Sequence, residues 1–401
     1  MRTLALLAIA AAPLAAQQPP RQTDADAYTR YELLAPGSAQ FRIIYEITAT
    51  TPGATAYFNP IRKGSTASDE SVIDRATGKP LEFREVGGLE ARAGGVRGAD
   101  STQRYIRVSL SRPVAANGGE QRILILKTYR DTLSYFMRGD TLIFTRPLGI
   151  KRNTVVLPAG WELVSSAFPA QVLQEKDGRV GVSFWNAAPG EAAVTMKAVR
   201  LRAPLAAAPA RTGEMASRLS ERTHQNREIV YFLQQPETNA FDLYHDYTES
   251  RAGISTYVNV VRTGSTVSNP SAVNLDTGEP VPHEVLKGDA ISRAGLNVPN
   301  VTPSTEAVVW RFAPVQAGTS IRLRMSETYT DSVRYRLVGD ELVWDRAFGR
   351  PSNIVVLPAG WVLTNSSVPC TVSTRADGRV QLDFVNGRPD EIAVLITARR
   401  R

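Results

Sequence analysis

The sequence predicts an all-β protein made of two tandem duplicated antiparallel β-sandwich domains, and three observations carry that expectation. Apolar and polar residues alternate with a period of two along many short runs, as in Val180, Val182 and Phe184 against Arg179, Gly181 and Ser183. The runs close on Gly, Pro, Asn or Asp, the residues that turn a chain. Blocks of sequence also recur at one spacing. NTVVLPAGW, residues 153–161, returns 200 residues later at 353–361 with a single change, Thr154 to Ile354.

Met1 and Arg2 precede the apolar, small-residue run TLALLAIAAAPLAA, and a polar segment follows it. This is the three-part pattern of a secretory signal peptide, expected over 1–17 with cleavage near Ala16 or Gln17. A flexible segment is expected over 18–29. The apolar run is too short to span a membrane and no second one follows, so no transmembrane segment is expected in the mature chain. The expected location is outside the cytoplasm, periplasmic or extracellular.

The first copy is expected over 30–202 and the second over 227–401. FRIIYEITAT at Phe41 faces FDLYHDYTES at Phe241, and AYFNPIRKGSTAS at Ala56 faces TYVNVVRTGSTVS at Thr256. DTLSYFMRGDTLIF at Asp131 faces DSVRYRLVGDELVW at Asp331. A period this long marks a duplicated domain and not a solenoid. DGR at Asp177 and Asp377 reads as a hairpin turn, because Asp-Gly supplies positive φ. ATGKP and DTGEP read the same way. Proline and glycine make a turn of LPAG, and Trp161 or Trp361 then anchors it to a core. The Ala/Pro-rich stretch 203–226 is a linker, with a short helix over GEMASRLSERTHQ that sets Met215 and Leu219 one turn apart. No other helix is expected. On one strand, Leu124 and Leu126 match Arg324 and Ser326, so the outer face of the first copy is expected to be covered by the second domain or the linker.

Of 401 residues 43% are hydrophobic and 21% charged, the balance of a folded globular chain. The net charge of +8 comes mostly from scattered arginines. No basic run marks a nucleic-acid groove. Cys370 is the single cysteine, so no intramolecular disulfide forms, and its match at Ala170 points to a small packed side chain.

The three histidines, His224, His245 and His283, have no histidine counterparts 200 residues away. There is no His-Glu-x-x-His, no Cys-x-x-Cys, no Gly-x-Ser-x-Gly elbow and no phosphate loop, so no cofactor or metal is expected. The RGD of Arg138–Asp140 is VGD in the second copy and reads as a turn. Asp131/Asp331, Asp140/Asp340 and Asp177/Asp377 recur, which fits turns and strand ends. The glycine-rich stretch at Glu85 and its counterpart at Glu284 read as variable loops. The best duplicated polar group is Tyr57, Asn59 and Arg62, matched by Tyr257, Asn259 and Arg262. In a straight strand Tyr57 and Asn59 share a face and Arg62 opposes them. They are a candidate patch for a sugar or peptide, or a strand leading into a Gly-Ser-Thr turn.

LPAGWELVSSAFP, residues 157–169, resembles the end of the N-terminal β-sandwich domain of zinc aminopeptidases over about a dozen residues. That resemblance implies the fold; the zinc motif of their catalytic domain is missing from the sequence. The expected function is a non-catalytic binding or structural role in the bacterial cell envelope, with an envelope protein or polysaccharide as partner. A pair of carbohydrate-binding modules, stacking sugars on Trp161 and Trp361, is the first alternative. A hydrolase built around His245 or His283 is the second.

Overall fold

The computed structural model describes residues 20–401 apart from 188–189, 204–205, 208 and 225–226. The expected signal peptide lies outside the described residues. Fourteen strands make the first copy: β1 Asp24–Leu33, β2 Gln40–Ala49, β3 Ala56–Pro60, β4 Thr66–Asp74, β5 Phe83–Gly87, β6 Arg104–Ser109 and β7 Gln121–Arg130, then β8 Tyr135–Arg138, β9 Thr141–Leu148, β10 Arg152–Val156, β11 Trp161–Ser166, β12 Gln171–Gln174, β13 Val180–Trp185 and β14 Ala192–Arg200. They form a seven-stranded sheet in the order β12-β13-β10-β1-β2-β7-β4, a four-stranded sheet β11-β14-β9-β8 and a three-stranded sheet β3-β6-β5. Residues 227–400 repeat the same three sheets in the same order. The chain is therefore an all-β protein of two duplicated domains. Pairing is antiparallel except where β1 meets β10, and where its equivalent Arg227–Leu233 meets Ser352–Val356. Alternation reveals which face a strand buries but not which neighbour it takes, so these parallel pairs left no trace in the sequence.

Both small sheets cover one face of the large sheet. Ile43, Ile123 and Ile125 from the large sheet, Val108 from β6, and Phe144 and Met196 from β9 and β14 share one buried core. In the second copy the core divides. One cluster holds Trp344, Phe348 and Phe384, and the other holds Trp310, Leu323 and Met325.

Several expectations change. β1 starts at Asp24, inside the stretch read as flexible, because Thr23 and Thr51 tie the chain there to the edge of the sheet. Two further helices occur, α1 Gly88–Ala93 and, in the second copy, Asp289–Arg293, each in a stretch read as variable loop. Ala91 and Ile291 are the apolar residues that bury them. The linker helix is real but only six residues long, Gly213–Arg218, and Met215 and Leu219 remain exposed. A uniform offset of 200 residues sets Trp310 against Leu110, but Tyr57 pairs with Val108 and Tyr257 with Trp310, so Trp310 answers Val108. The loop before that strand is two residues longer in the second copy, and the loop after it two shorter.

The end of the linker docks on the first copy. Glu221 Oε1 accepts from Thr154 Oγ1 at 2.5 Å, Thr223 Oγ1 at 2.6 Å and Ser183 Oγ at 3.0 Å. The one difference in the nine-residue block falls where the copies differ in contact: Thr154 meets the linker, and among the described residues no such segment meets Ile354. His224 reaches Glu46 at 3.5 Å, the residue opposite Leu124 in the sheet. Leu124 and Leu126 are half-buried.

The copies meet through the same elements on each side, related by an approximate two-fold axis. Arg122 donates from Nε and Nη2 to the two oxygens of Asp276, each at 2.8 Å, and from Nη1 to Ser320 Oγ at 3.0 Å. Reciprocally, Arg322 pairs with Glu120 at 2.9 Å, and Glu120 stands 200 residues before Ser320. Glu120 N donates to Leu275 O at 2.8 Å, and Ser320 Oγ to Arg75 O at 2.8 Å. The turns at Gly78 (φ 69°) and Gly278 (φ 76°) reach across the interface, and a Cβ on Gly78 would lie 2.5 Å from the carbonyl oxygen of Gly318.

Candidate functional site

The two small sheets do not close fully over the large one, and each copy keeps a cleft between them. In the first copy the cleft encloses about 930 Å³. Its floor comes from alternate residues of β1, β2 and β7: Tyr31, Ile43, Tyr45, Lys127 and Tyr129. Tyr57 and Asn59 of β3 form one wall, and Arg146 of β9 the other. The equivalent cleft encloses about 320 Å³ and is lined by Tyr231, His245, Asn259, Arg262, Glu327 and Arg350 among others.

Five of the six residues singled out from the repeat line these clefts: Tyr57, Asn59, Arg62, Asn259 and Arg262. Tyr257 stands behind the second cleft, where its hydroxyl accepts from Arg350 Nη2 at 3.3 Å. Strand β3 ends at Pro60, so Arg62 escapes the strand's alternation. It crosses toward β9 and donates to Pro147 O at 3.3 Å. Arg262 does the same to Ala347 O at 3.5 Å and also holds Glu391 at 3.0 Å. Tyr57 is buried and donates to Asp24 Oδ2 at 3.0 Å. Burial and the neighbouring Tyr45 hold its hydroxyl well above the ordinary phenol range.

The residue the repeat did not single out is the one at 127 and 327. Period two along β7 puts position 127 on the same face as Ile123, Ile125 and Tyr129. A charge on that face is a signal, and it is the site's main electrostatic feature. Lys127 is 4% exposed. Its ammonium donates to Asn59 Oδ1 at 2.5 Å and lies 4.8 Å from the centre of the Tyr129 ring. Among the described residues no carboxylate pairs with it. Burial, and then the Arg146 charge, push its pKa down to about 7. Glu327 is 2% exposed. Its Oε2 accepts from Asn259 Nδ2 at 2.8 Å, and burial pushes its pKa up to about 7. The shared asparagine therefore turns its amide over: oxygen toward lysine in one copy, nitrogen toward glutamate in the other.

The arginine at the far wall is committed to the scaffold. Arg146 pairs with buried Asp131 at 3.0 Å and lies among the rings of Tyr31, Phe41 and Tyr129. Arg346 pairs with Asp331 at 3.3 Å. Asp131 also accepts from the Leu133 and Ser134 amides, each at 3.0 Å, and from Ser65 Oγ at 3.1 Å. These recurring aspartates hold turns.

His245 occupies the place of Tyr45. Burial, with Arg350 and Arg227 nearby, lowers its pKa to about 3, so it is neutral at physiological pH. Among the described residues no Ser, Thr or Cys lines its cleft. His283 is exposed on a strand edge. Trp161 and Trp361 are only 9% and 3% exposed, and Trp361 Nε1 donates to Gln235 Oε1 at 2.9 Å. They anchor the turn, and the exposed stacking row that a carbohydrate-module reading requires is not formed by them. Cys370 packs as a small side chain against the second core. Among the described residues no cluster of three or more His, Cys, Asp or Glu is placed to hold a metal ion, and no helix is long and apolar enough to cross a membrane.

No family model and no curated relative matches the sequence. Solved structures that match include an M1 zinc metallopeptidase from Deinococcus radiodurans, at 10% identity over 45% of this chain and 42% of that one, with a TM-score of 0.30. A putative nutrient binding protein from Legionella pneumophila matches at 8% identity over 45% and 68%, TM-score 0.24. The collagen adhesin of S. aureus matches at 8% identity over 82% and 87%, TM-score 0.15. The chain thus spans less than half of the metallopeptidase it matches, and none of these likenesses assigns an activity.

Proposed function

We propose that the chain is a non-catalytic binding protein of the bacterial cell envelope whose first cleft takes a small carboxylate-bearing ligand. The observation that carries this is Lys127. A buried ammonium offers three donors, and among the described residues only the side-chain carbonyl of Asn59 accepts from it. Burying a charge without a counter-ion is costly, which is why burial lowers the lysine's pKa to about 7, and an anion entering the cleft would hold the proton on it. Arg62 adds a second positive group at the rim, where in this copy it makes no ion pair among the described residues. Tyrosine rings around the floor suit a ligand with an apolar or sugar-like body. The test is calorimetric titration with 3-phenylpropionate. Binding is expected in the wild type and lost in Lys127→Met. Equal affinity in the two proteins overturns the reading.

A further inference from the structure

The second cleft has kept the shape of the first but reversed its polarity. Glu327 replaces Lys127, and only one of its oxygens is used. Among the described residues Oε1 is buried without a hydrogen-bond partner, and the same holds for Nε2 of His245 in the same cleft. Buried polar atoms are nearly always satisfied, so two unsatisfied ones on residues that line one cavity mark it as a candidate ligand site. The cationic wall is mostly spent: Arg346 on Asp331 and Arg262 on Glu391. Arg350 differs. It lines the cleft and donates to the Tyr257 hydroxyl, but no carboxylate pairs with it among the described residues.

We propose that the second cleft is a site for a small zwitterion with the charge pair of a free amino acid, its ammonium on Glu327 and its carboxylate toward Arg350. The cavity, at about 320 Å³, is about a third the size of the first and suits a compact molecule. His245, neutral because it is buried, adds a hydrogen-bonding position without repelling the ammonium. This rests on the reading that the clefts bind ligands, and it makes the two copies bind different ones.

Three probes with one skeleton separate the charges: L-phenylalanine, phenethylamine and 3-phenylpropionate, titrated calorimetrically into the full chain at pH 7.5. Phenylalanine is expected to bind wild type. Its affinity should fall at least about tenfold in Glu327→Gln and in Arg350→Met, since each loses one charge-assisted hydrogen bond. Phenethylamine should bind more weakly than phenylalanine and depend on Glu327 but not on Arg350. Lys127→Met should leave the Glu327-dependent binding of phenethylamine, which has no carboxylate for the first cleft, unchanged. Phenylalanine binding that is absent, or indifferent to both Glu327→Gln and Arg350→Met, overturns the inference. Loss of 3-phenylpropionate binding in Lys127→Met alone supports the first cleft separately. If 3-phenylpropionate fails in every protein while phenylalanine depends on Glu327, the first-cleft reading falls and this one stands. Near-ultraviolet circular dichroism confirms that each variant is folded.

Discussion

Glutamine at position 327 keeps the shape of glutamate but cannot ionise. In the wild type, burial holds the Glu327 carboxyl at about 7, against an ordinary 4.5. Between those values the folded chain holds a proton that the unfolded chain has released. Rising pH therefore favours unfolding across this window, and the loss is complete above about pH 7. It amounts to about 3 kcal/mol. The groups facing Glu327 are Asn259 on the wall, Tyr329 on its own strand, His245 on the adjacent strand, and Arg262, Arg346, Arg350 and Glu391 around the cleft. His245 acts in the opposite sense. Its folded value is about 3 against 6.5, so its contribution to stability grows as pH rises between them. The two slopes overlap, and the wild-type profile alone does not isolate either group. The difference between wild type and Glu327→Gln does. Urea denaturation of both proteins from pH 4.5 to 8 should show near-equal stability at the acid end. At pH 8 the variant should be more stable by up to about 3 kcal/mol, less whatever the new amide nitrogen loses by lacking an acceptor. A difference that does not change with pH would refute the reasoning, because it would mean that Glu327 titrates as an exposed carboxyl.

Two further predictions concern the junction between the copies. Arg122→Ala leaves Asp276 buried without its bidentate partner, and should cost about 3–5 kcal/mol; scanning calorimetry should then resolve two melting transitions, and an unchanged single transition counts against a coupled interface. Gly78→Ala places a Cβ against the Gly318 carbonyl at a residue already at φ 69°, whereas Gly37 has the same backbone sign in open space. The first substitution should lower stability by more than the second, by about 1 kcal/mol or more, and equal urea midpoints would remove the close approach as a cause.

Much of the architecture was legible because it depends on local chemistry. Alternation placed Val182 and Phe184 on a buried face, Asp-Gly placed the hairpin at 177–178, and repetition disclosed the second domain. The wall of the cleft was legible too, since Tyr57, Asn59 and Arg62 recur with their spacing. Its floor was not. Lys127 and Glu327 differ between copies, so a search for shared residues passes over them, although their position on the buried face was open to inspection. The direction of Arg62 depended on whether the strand stayed straight, and it does not, because the strand ends at Pro60 two residues earlier. The register of Trp310 slipped because a longer loop before the strand is offset by a shorter one after it. The parallel β1–β10 pair is a long-range choice of neighbour, which alternation does not encode.

The approximate two-fold axis between the copies has one more consequence. In a symmetric homodimer every substitution appears twice, and a charge placed in one cleft must also be placed in the other. A single chain that carries both halves is free of that rule. Asp276 can grip Arg122 while its counterpart is Ala76, and Glu120 can hold Arg322 while its counterpart is Ser320. The same freedom lets one cleft carry a lysine and the other a glutamate. Two clefts of opposite sign in one molecule are an arrangement that no symmetric pair of identical subunits can make.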